Sequence, residues 1–295
     1  MREFVIFADS TCDLGKDLRG KHNIEYIPMN YVVDDVEYVA SLDWETHSPK
    51  EFYDFMRNGK RVFTTQVPKN RFIEEFTKAI EDGKDVLYIG CSSALSGSVN
   101  TAKVVANNLS EQYPQAKVIC IDSLCSSLGQ GHLAIVASNM RSVGKTIDET
   151  AQYIESIKLK MNQCGTVESL NYLARAGRVK ASKAFFGNLF GVKPLIISDR
   201  IGQNYAYRKV KGAKSARLAV AEDMKNAADG VYETLYLSHA DCEEEVQRVK
   251  DAILAVAPFK EVYINTIAPI VGASVGPGTV IAYCYGKEVT IEGKE

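Results

Sequence analysis

Apolar residues fall in short runs along the first half of this chain, at Phe4–Ala8, Val86–Gly90 and Val118–Ile121, each rich in β-branched residues. Between them, apolar positions recur at helical spacing over Asn70–Ile80 and Ser98–Leu109. Strands that are apolar throughout, alternating with helices, predict a parallel sheet covered on both faces. Residues 1–160 therefore read as a three-layer, parallel-sheet α/β domain. Ile24–Val33 and Val36–Val39 flank Asp34-Asp35, which predicts an added hairpin. Helices over Gly131–Met140 and Ile147–Lys160 lead out of this domain.

From residue 161 the pattern changes. Candidate strands at Gly165–Glu168, Pro194–Ser198, Asn204–Tyr207, Thr234–Ser238, Val262–Ile267 and Val280–Tyr285 alternate irregularly with helices at Ser215–Ala227 and Glu243–Val256. The tight Asp199–Gly202 turn joins two of these strands as an antiparallel pair. Residues 161–295 thus read as a second α/β domain, with a mixed sheet. Within it, Val262–Gly286 has no charged residue and is long enough in principle to span a bilayer. Its prolines, four glycines, hydroxyls and amides favour two strands and a Gly-rich loop over a transmembrane segment.

The 295 residues suffice for a sizeable core, and 46% hydrophobic with 24% charged content is ordinary for a soluble globular protein. Seven scattered cysteines without a CxxC pair, and only four histidines, argue against a disulfide framework or a zinc site and fit a reducing cytoplasm. The apolar run after Arg2 and Glu3 is too short for a signal peptide. Net charge is only −2, yet Arg175–Arg217 holds eleven Lys/Arg against one acid, Asp199, so this segment carries +10 and the remainder −12. Two readings stand: a solvated face balanced by acids nearby in space, or a docking surface for an acidic or phosphate-carrying partner.

Three Ser/Thr/Gly motifs punctuate the first half: Asp9-Ser10-Thr11-Cys12-Asp13, Thr64-Thr65-Gln66-Val67-Pro68 and Ser92-Ser93-Ala94-Leu95-Ser96-Gly97-Ser98. Each follows an apolar run and precedes a helical stretch, which would gather hydroxyls and free N–H groups at one edge of a sheet. Such a place holds an anion without a metal. Helix capping is the competing use of Thr64, Thr65 and Ser96. Asp9, Ser10 and Asp13 read as an Asx or capping turn that organises loops rather than a catalytic or metal pair. His132 reads as a packed histidine rather than a base.

Taken in order along the chain, these motifs resemble the DegV proteins, the fatty-acid-binding subunits of bacterial fatty-acid kinases. The resemblance adds Asp122-Ser123 with Gly129-Gln130-Gly131, Leu170-Asn171-Tyr172-Leu173-Ala174-Arg175-Ala176-Gly177-Arg178, Lys193-Pro194 and Gly276-Pro277-Gly278, and so covers nearly the whole chain. It implies a DegV-like, two-domain protein with one long-chain fatty acid between its domains. The carboxylate would be offered to a separate fatty-acid kinase catalytic subunit, which makes an acyl phosphate for phospholipid synthesis. By the family pattern Thr64 and Ser96 contact the carboxylate, with Thr65, Ser93 and Ser274 as further candidates. Ser274 stands where the family usually has a histidine, and Lys211 where an arginine is common. Arg175, Arg178 and Lys211 are the candidate partner-docking residues. No catalytic residue, metal or cofactor beyond the bound fatty acid is implied. Phe185, Phe186, Leu189, Phe190 and Val192 form a candidate apolar wall, with core packing as their other use.

Rival functions are weaker in the residues. Gly90-Cys91-Ser92-Ser93-Ala94 fails the nucleophile-elbow pattern of a serine hydrolase, and no placed base accompanies Ser93 or Ser96. A Gly/Ser loop before a helix is also a generic site for phosphate or nucleotide, but no Walker lysine follows Gly97, which argues against kinase activity by this chain alone. Nucleic-acid binding through residues 175–217 would place Tyr205 and Tyr207 among the cations, but no reader motif accompanies them.

Overall fold

The computed structural model describes residues 2–182, 185 and 191–294. Its first sheet is parallel, in the order β2 (Ile24–Ile27), β1 (Phe4–Asp9), β6 (Asp85–Gly90), β7 (Val118–Asp122). Helices α3 (Lys69–Glu81) and α4 (Ser98–Gln112) pack together on one face. On the other lie α1 (Lys16–His22), α5 (Ser127–Ser142) and α6 (Ile147–Ile157). Both faces being covered, β6 is buried along its whole length, as its unbroken apolar run requires.

A small antiparallel sheet, β4 (Val36–Val39), β3 (Asn30–Val33), β5 (Val62–Thr65), stands beside the parallel one; α2 (Pro49–Arg57) lies between its second and third strands in sequence. The expected hairpin is present, and Asp34 and Asp35 take φ of 51° and 62°, the left-handed pair that a two-residue turn demands. The expected single strand over 24–33 is instead two. Pro28 lacks an N–H to donate to a ladder, so Ile24–Ile27 pairs with the parallel sheet and Asn30–Val33 leaves it.

The remaining strands form one mixed sheet: β13 (Glu261–Thr266), β12 (Thr234–His239), β14 (Val280–Tyr285), β8 (Met161–Thr166), β10 (Val192–Ser198), β11 (Asn204–Lys211), β9 (Val179–Lys180). Alternation along its strands decides what each face covers. Tyr236, Ile281 and Tyr283 join the large core around α5, whereas Leu235, Leu237, Val280 and Ala282 join a second core under α8 (Ala213–Ala228) and α9 (Glu243–Leu254). Helix α5 is thereby packed between the parallel and the mixed sheet, which accounts for its many buried residues.

Three boundaries differ from expectation. The strand expected at Gly165–Glu168 is β8, five residues of which precede Thr166. The charge-free stretch expected as two strands and a loop contains a helix between the strands, α10 (Pro269–Val275). Proline at its first turn needs no hydrogen bond there, and Gly276 ends it at φ 78° with Tyr172 of α7 (Leu170–Ala176) packed against its α-carbon. The stretch Lys180–Gly191 also suggests a helix from its sequence; it begins instead with strand residue Lys180, and Lys183, Phe186, Leu189 and Phe190 lie outside the described residues. No helix among the described residues is long and apolar enough to cross a membrane.

Candidate functional site

The strands β1 and β6 both end at the same edge of the parallel sheet, and the loops that leave them are tied together through Asp9, which is wholly buried. Asp9 Oδ2 accepts from the Tyr88 hydroxyl at 2.7 Å and the Cys91 N–H at 3.0 Å. Its Oδ1 accepts from the Thr11 N–H at 3.0 Å and is in contact with the Thr11 hydroxyl, which also meets Gln130 of α5 at 2.6 Å. Asp13 extends the knot to the mixed sheet. Its carboxylate accepts from Ser127 at 2.5 Å and from the Ala268 N–H at 2.9 Å, and Asn265 donates to its carbonyl at 2.7 Å. Burial without a cation pushes the Asp13 carboxyl up to about 7. The motif is a loop organiser, as its spacing suggested, and His132 is a packed residue: it bonds the Tyr236 hydroxyl at 3.1 Å and burial holds its imidazole down at about 4.

Beside this knot lies a cavity of about 190 Å³. Thr64 and Thr65 of β5, Leu95-Ser96-Gly97 before α4, and Ser274 of α10 meet around it, with Thr11 and Ser126 behind them. Its apolar wall is Met29, Leu95, Ile270, Val271, Val275 and Ile281. Arg178 is the sole charged residue among the described residues of the lining, which includes no carboxylate and no histidine.

The hydroxyls here differ in what they have left to give. Ser98 is buried and accepts from the Val67 N–H at 3.1 Å, which fastens the Thr-Thr-Gln strand to the Leu-Ser-Gly loop. Ser96 Oγ accepts from the Ser98 N–H at 3.3 Å and lies 3.0 Å from the Ser98 hydroxyl. With Ser98 as the donor, both lone pairs of Ser96 are engaged and its own proton remains for a ligand. Thr64, Thr65 and Ser274 make no side-chain hydrogen bond among the described residues.

Of the residues singled out in the sequence, Thr64, Thr65, Ser96 and Ser274 are brought together, with Arg178 at their side. Ser93 is not: it is exposed, outside the lining, and its N–H donates to Asp122 at 3.1 Å. Arg175 lies on an adjoining pocket, and Lys211 is exposed at the end of β11. Of the candidate wall, Phe185 packs against the main core and neither it nor Val192 is in the lining. Sequence reasoning missed the α10 wall and a buried amide pair, Gln163 donating to Asn204 at 3.1 Å, with Asn204 donating to the Arg178 carbonyl at 3.1 Å. Single polar residues inside strands give no signal of their own.

One family, described as "Uncharacterised protein, DegV family", matches residues 3–287. The chain belongs to the DegV family. A DegV domain-containing protein of Clostridium perfringens is 34% identical over 287 residues, covering 97% of this chain and 98% of that one. Among solved structures, a DegV family protein from Thermus thermophilus described for fatty-acid binding is 26% identical with a TM-score of 0.88, covering 97% and 100% of the two chains. A DegV lipid-binding protein from Thermotoga maritima is also 26% identical, with a TM-score of 0.85 over 98% and 100%.

In this DegV chain the basic segment is partly balanced in space. Lys193 pairs with Glu168, Arg200 with Glu292, Arg208 with Asp223 and Arg217 with Glu245. Arg175 and Arg178 have no ion-pair partner among the described residues, and these two are the ones near the cavity. All seven cysteines are free, and no group of three or more His, Cys, Asp or Glu among the described residues is placed to hold a metal.

Proposed function

We propose that this DegV protein binds one long-chain fatty acid in the cavity, between residues 1–160 and 161–295, and presents its carboxylate to a separate fatty-acid kinase. The observation that supports it is the lining: unbonded hydroxyls and one guanidinium together with the apolar residues of α10, and no carboxylate among the described lining residues. Burying about fourteen methylenes at ~0.8 kcal/mol each supplies about 11 kcal/mol, so the head group has only to fix orientation. Neutral donors suit that task, because a carboxylate held without a tight ion pair keeps an oxygen free to react. Thr64 and Ser96 anchor it, with Thr65 and Ser274 as secondary donors; Ser93 in this reading supports the loop through its backbone. Arg175, Arg178 and Lys211 face the kinase. In this reading the chain itself supplies no catalytic step, and no histidine is among the described residues that line the cavity with Ser96 to act as a base.

The test is retention of fatty acid. Native mass spectrometry of protein purified from cells, followed by extraction, should find a copurifying long-chain acid. Thr64→Ala with Ser96→Ala should weaken palmitate binding about a hundredfold and abolish phosphorylation when a fatty-acid kinase is added. Unchanged retention and unchanged phosphorylation in the double variant would sink the assignment.

A further inference from the structure

The cavity adjoins a second pocket, of about 210 Å³, that shares Thr64, Arg178 and Ser274 with it. Where the first is walled by apolar groups, the second is walled by cations: Lys60 and Arg61, just before the strand that carries Thr64, and Arg175 and Arg178 from the segment that follows β8. No Asp or Glu is among its described lining residues. Lys60 pairs with Asp34 at 2.6 Å. Arg61, Arg175 and Arg178 have no ion-pair partner among the described residues, which leaves three guanidinium groups around one pocket without a counter-anion. They are also braced. Arg61 lies 5.6 Å over the ring of Phe63 and Arg175 5.1 Å over that of Tyr172, while Arg175 donates to Asn171 and Arg178 to Leu95 through their Nε atoms, at 3.2 and 3.0 Å.

Like charges gathered on stiff supports repel each other unless an anion joins them, and a planar guanidinium fork matches phosphate oxygens. A fatty carboxylate held by Thr64 and Ser274 would sit at the border of the two pockets, with the cations beyond it. We propose that this second pocket is a phosphoryl site. It rests on the fatty-acid reading above: when the carboxylate oxygen takes a phosphoryl group from a nucleoside triphosphate, one P–O bond forms, the bond to the leaving diphosphate breaks, and the phosphoryl group on the acyl chain points into the cationic pocket. Either that group or the donor's own phosphates presents the same chemistry.

Titration calorimetry on the full-length protein separates these sources. Palmitate is compared with hexadecanoylphosphonate, a hydrolysis-resistant mimic of the acyl phosphate with the same tail, and palmitate-loaded protein is titrated with inorganic phosphate and a non-hydrolysable ATP analogue. The wild type should prefer the phosphonate to palmitate by about tenfold, less so at higher salt. Arg61→Gln, and Lys60→Gln with Arg61→Gln, should reduce that preference to within about twofold while leaving palmitate affinity within about twofold. If instead phosphate and the nucleotide analogue bind wild type and not the double variant, the site stands with the donor as its source. If no phosphate species separates wild type from the variants, or palmitate weakens in step with the phosphonate, the site is refuted although the fatty-acid reading survives. Discrimination of phosphate probes by a protein that does not bind palmitate would do the opposite, keeping the phosphoryl site and removing the lipid.

Discussion

Two regions rich in hydroxyl groups lie side by side at the edge of the parallel sheet, the Asp9–Asp13 knot and the Thr64/Ser96 cavity. They differ in how much hydrogen-bonding capacity is already engaged. Asp9 receives several donors, Thr11 bridges it to Gln130, and Ser127 joins Asp13 to Ser238. The cavity hydroxyls of Thr64, Thr65 and Ser274 have no partner in the protein among the described residues. Residue type alone does not separate a structural knot from a binding surface; leftover donors do. The two are also linked. Asp13 receives the N–H of Ala268 and Tyr53 donates to the Ile267 carbonyl at 2.7 Å, which fixes the start of α10, and α10 supplies the cavity with Ile270, Val271, Ser274 and Val275.

If the knot is structural, its largest signature is in stability against pH. The Asp13 carboxyl titrates at about 7 in the folded protein against an ordinary 3.8. Between those values the folded state holds a proton that the unfolded chain has released, so stability is greatest at the acid side and is lost as pH rises toward 7. The loss is up to about 4 kcal/mol. Asp13→Asn, which cannot ionise, should remove this slope. Urea midpoints for both proteins at pH 5 and pH 8 give the difference directly, and parallel pH profiles would show that Asp13 is not the group responsible.

Asp9→Ala tests the same side of the contrast without pH. It leaves the Tyr88 hydroxyl and the Thr11 and Cys91 N–H groups buried without their acceptor, at a cost of about 3 kcal/mol in all. Thermal unfolding should fall by roughly 6–10 °C. Thr64→Ala should move it by no more than roughly 2 °C, since the Thr64 hydroxyl has no partner inside the protein among the described residues. Equal melting shifts in the two variants would erase the distinction between knot and cavity.

Much of this architecture is legible in the sequence. Val86–Gly90 and Val280–Tyr285 stand out as unbroken apolar strands, and both occupy those positions. The three hydroxyl motifs supply Thr11, Thr64, Thr65 and Ser96, which line one cavity. What escapes is set by tertiary contacts. Ser93 shares its motif with Ser96, but the bond from its N–H to Asp122 accompanies a position outside the lining. In α10, Pro269, Gly272 and Gly276 look like loop residues until proline is placed at the first turn and glycine at the cap. Gln163 and Asn204 stand on β8 and β11, separated by 41 positions, and only the sheet between them makes a pair.

The smallest expected effect lies where the two regions touch. Ser274 is on the helix that the knot anchors, half-buried, and its hydroxyl has no partner among the described residues. Removing it breaks no bond inside the protein, so Ser274→Ala should leave unfolding within about 0.5 kcal/mol of wild type. A single hydrogen bond from a hydroxyl to a carboxylate is worth about 1.5 kcal/mol at the low end, so palmitate affinity should fall about tenfold. Asp13→Ala should also weaken palmitate, but through loss of the α10 anchor and together with a fall in stability. Competitive displacement of a fluorescent fatty acid, run beside urea unfolding, separates the two causes. If Ser274→Ala loses stability as Asp13→Ala does, Ser274 belongs to the knot, and the boundary between the closed network and the open cavity must be drawn one helical turn further along α10.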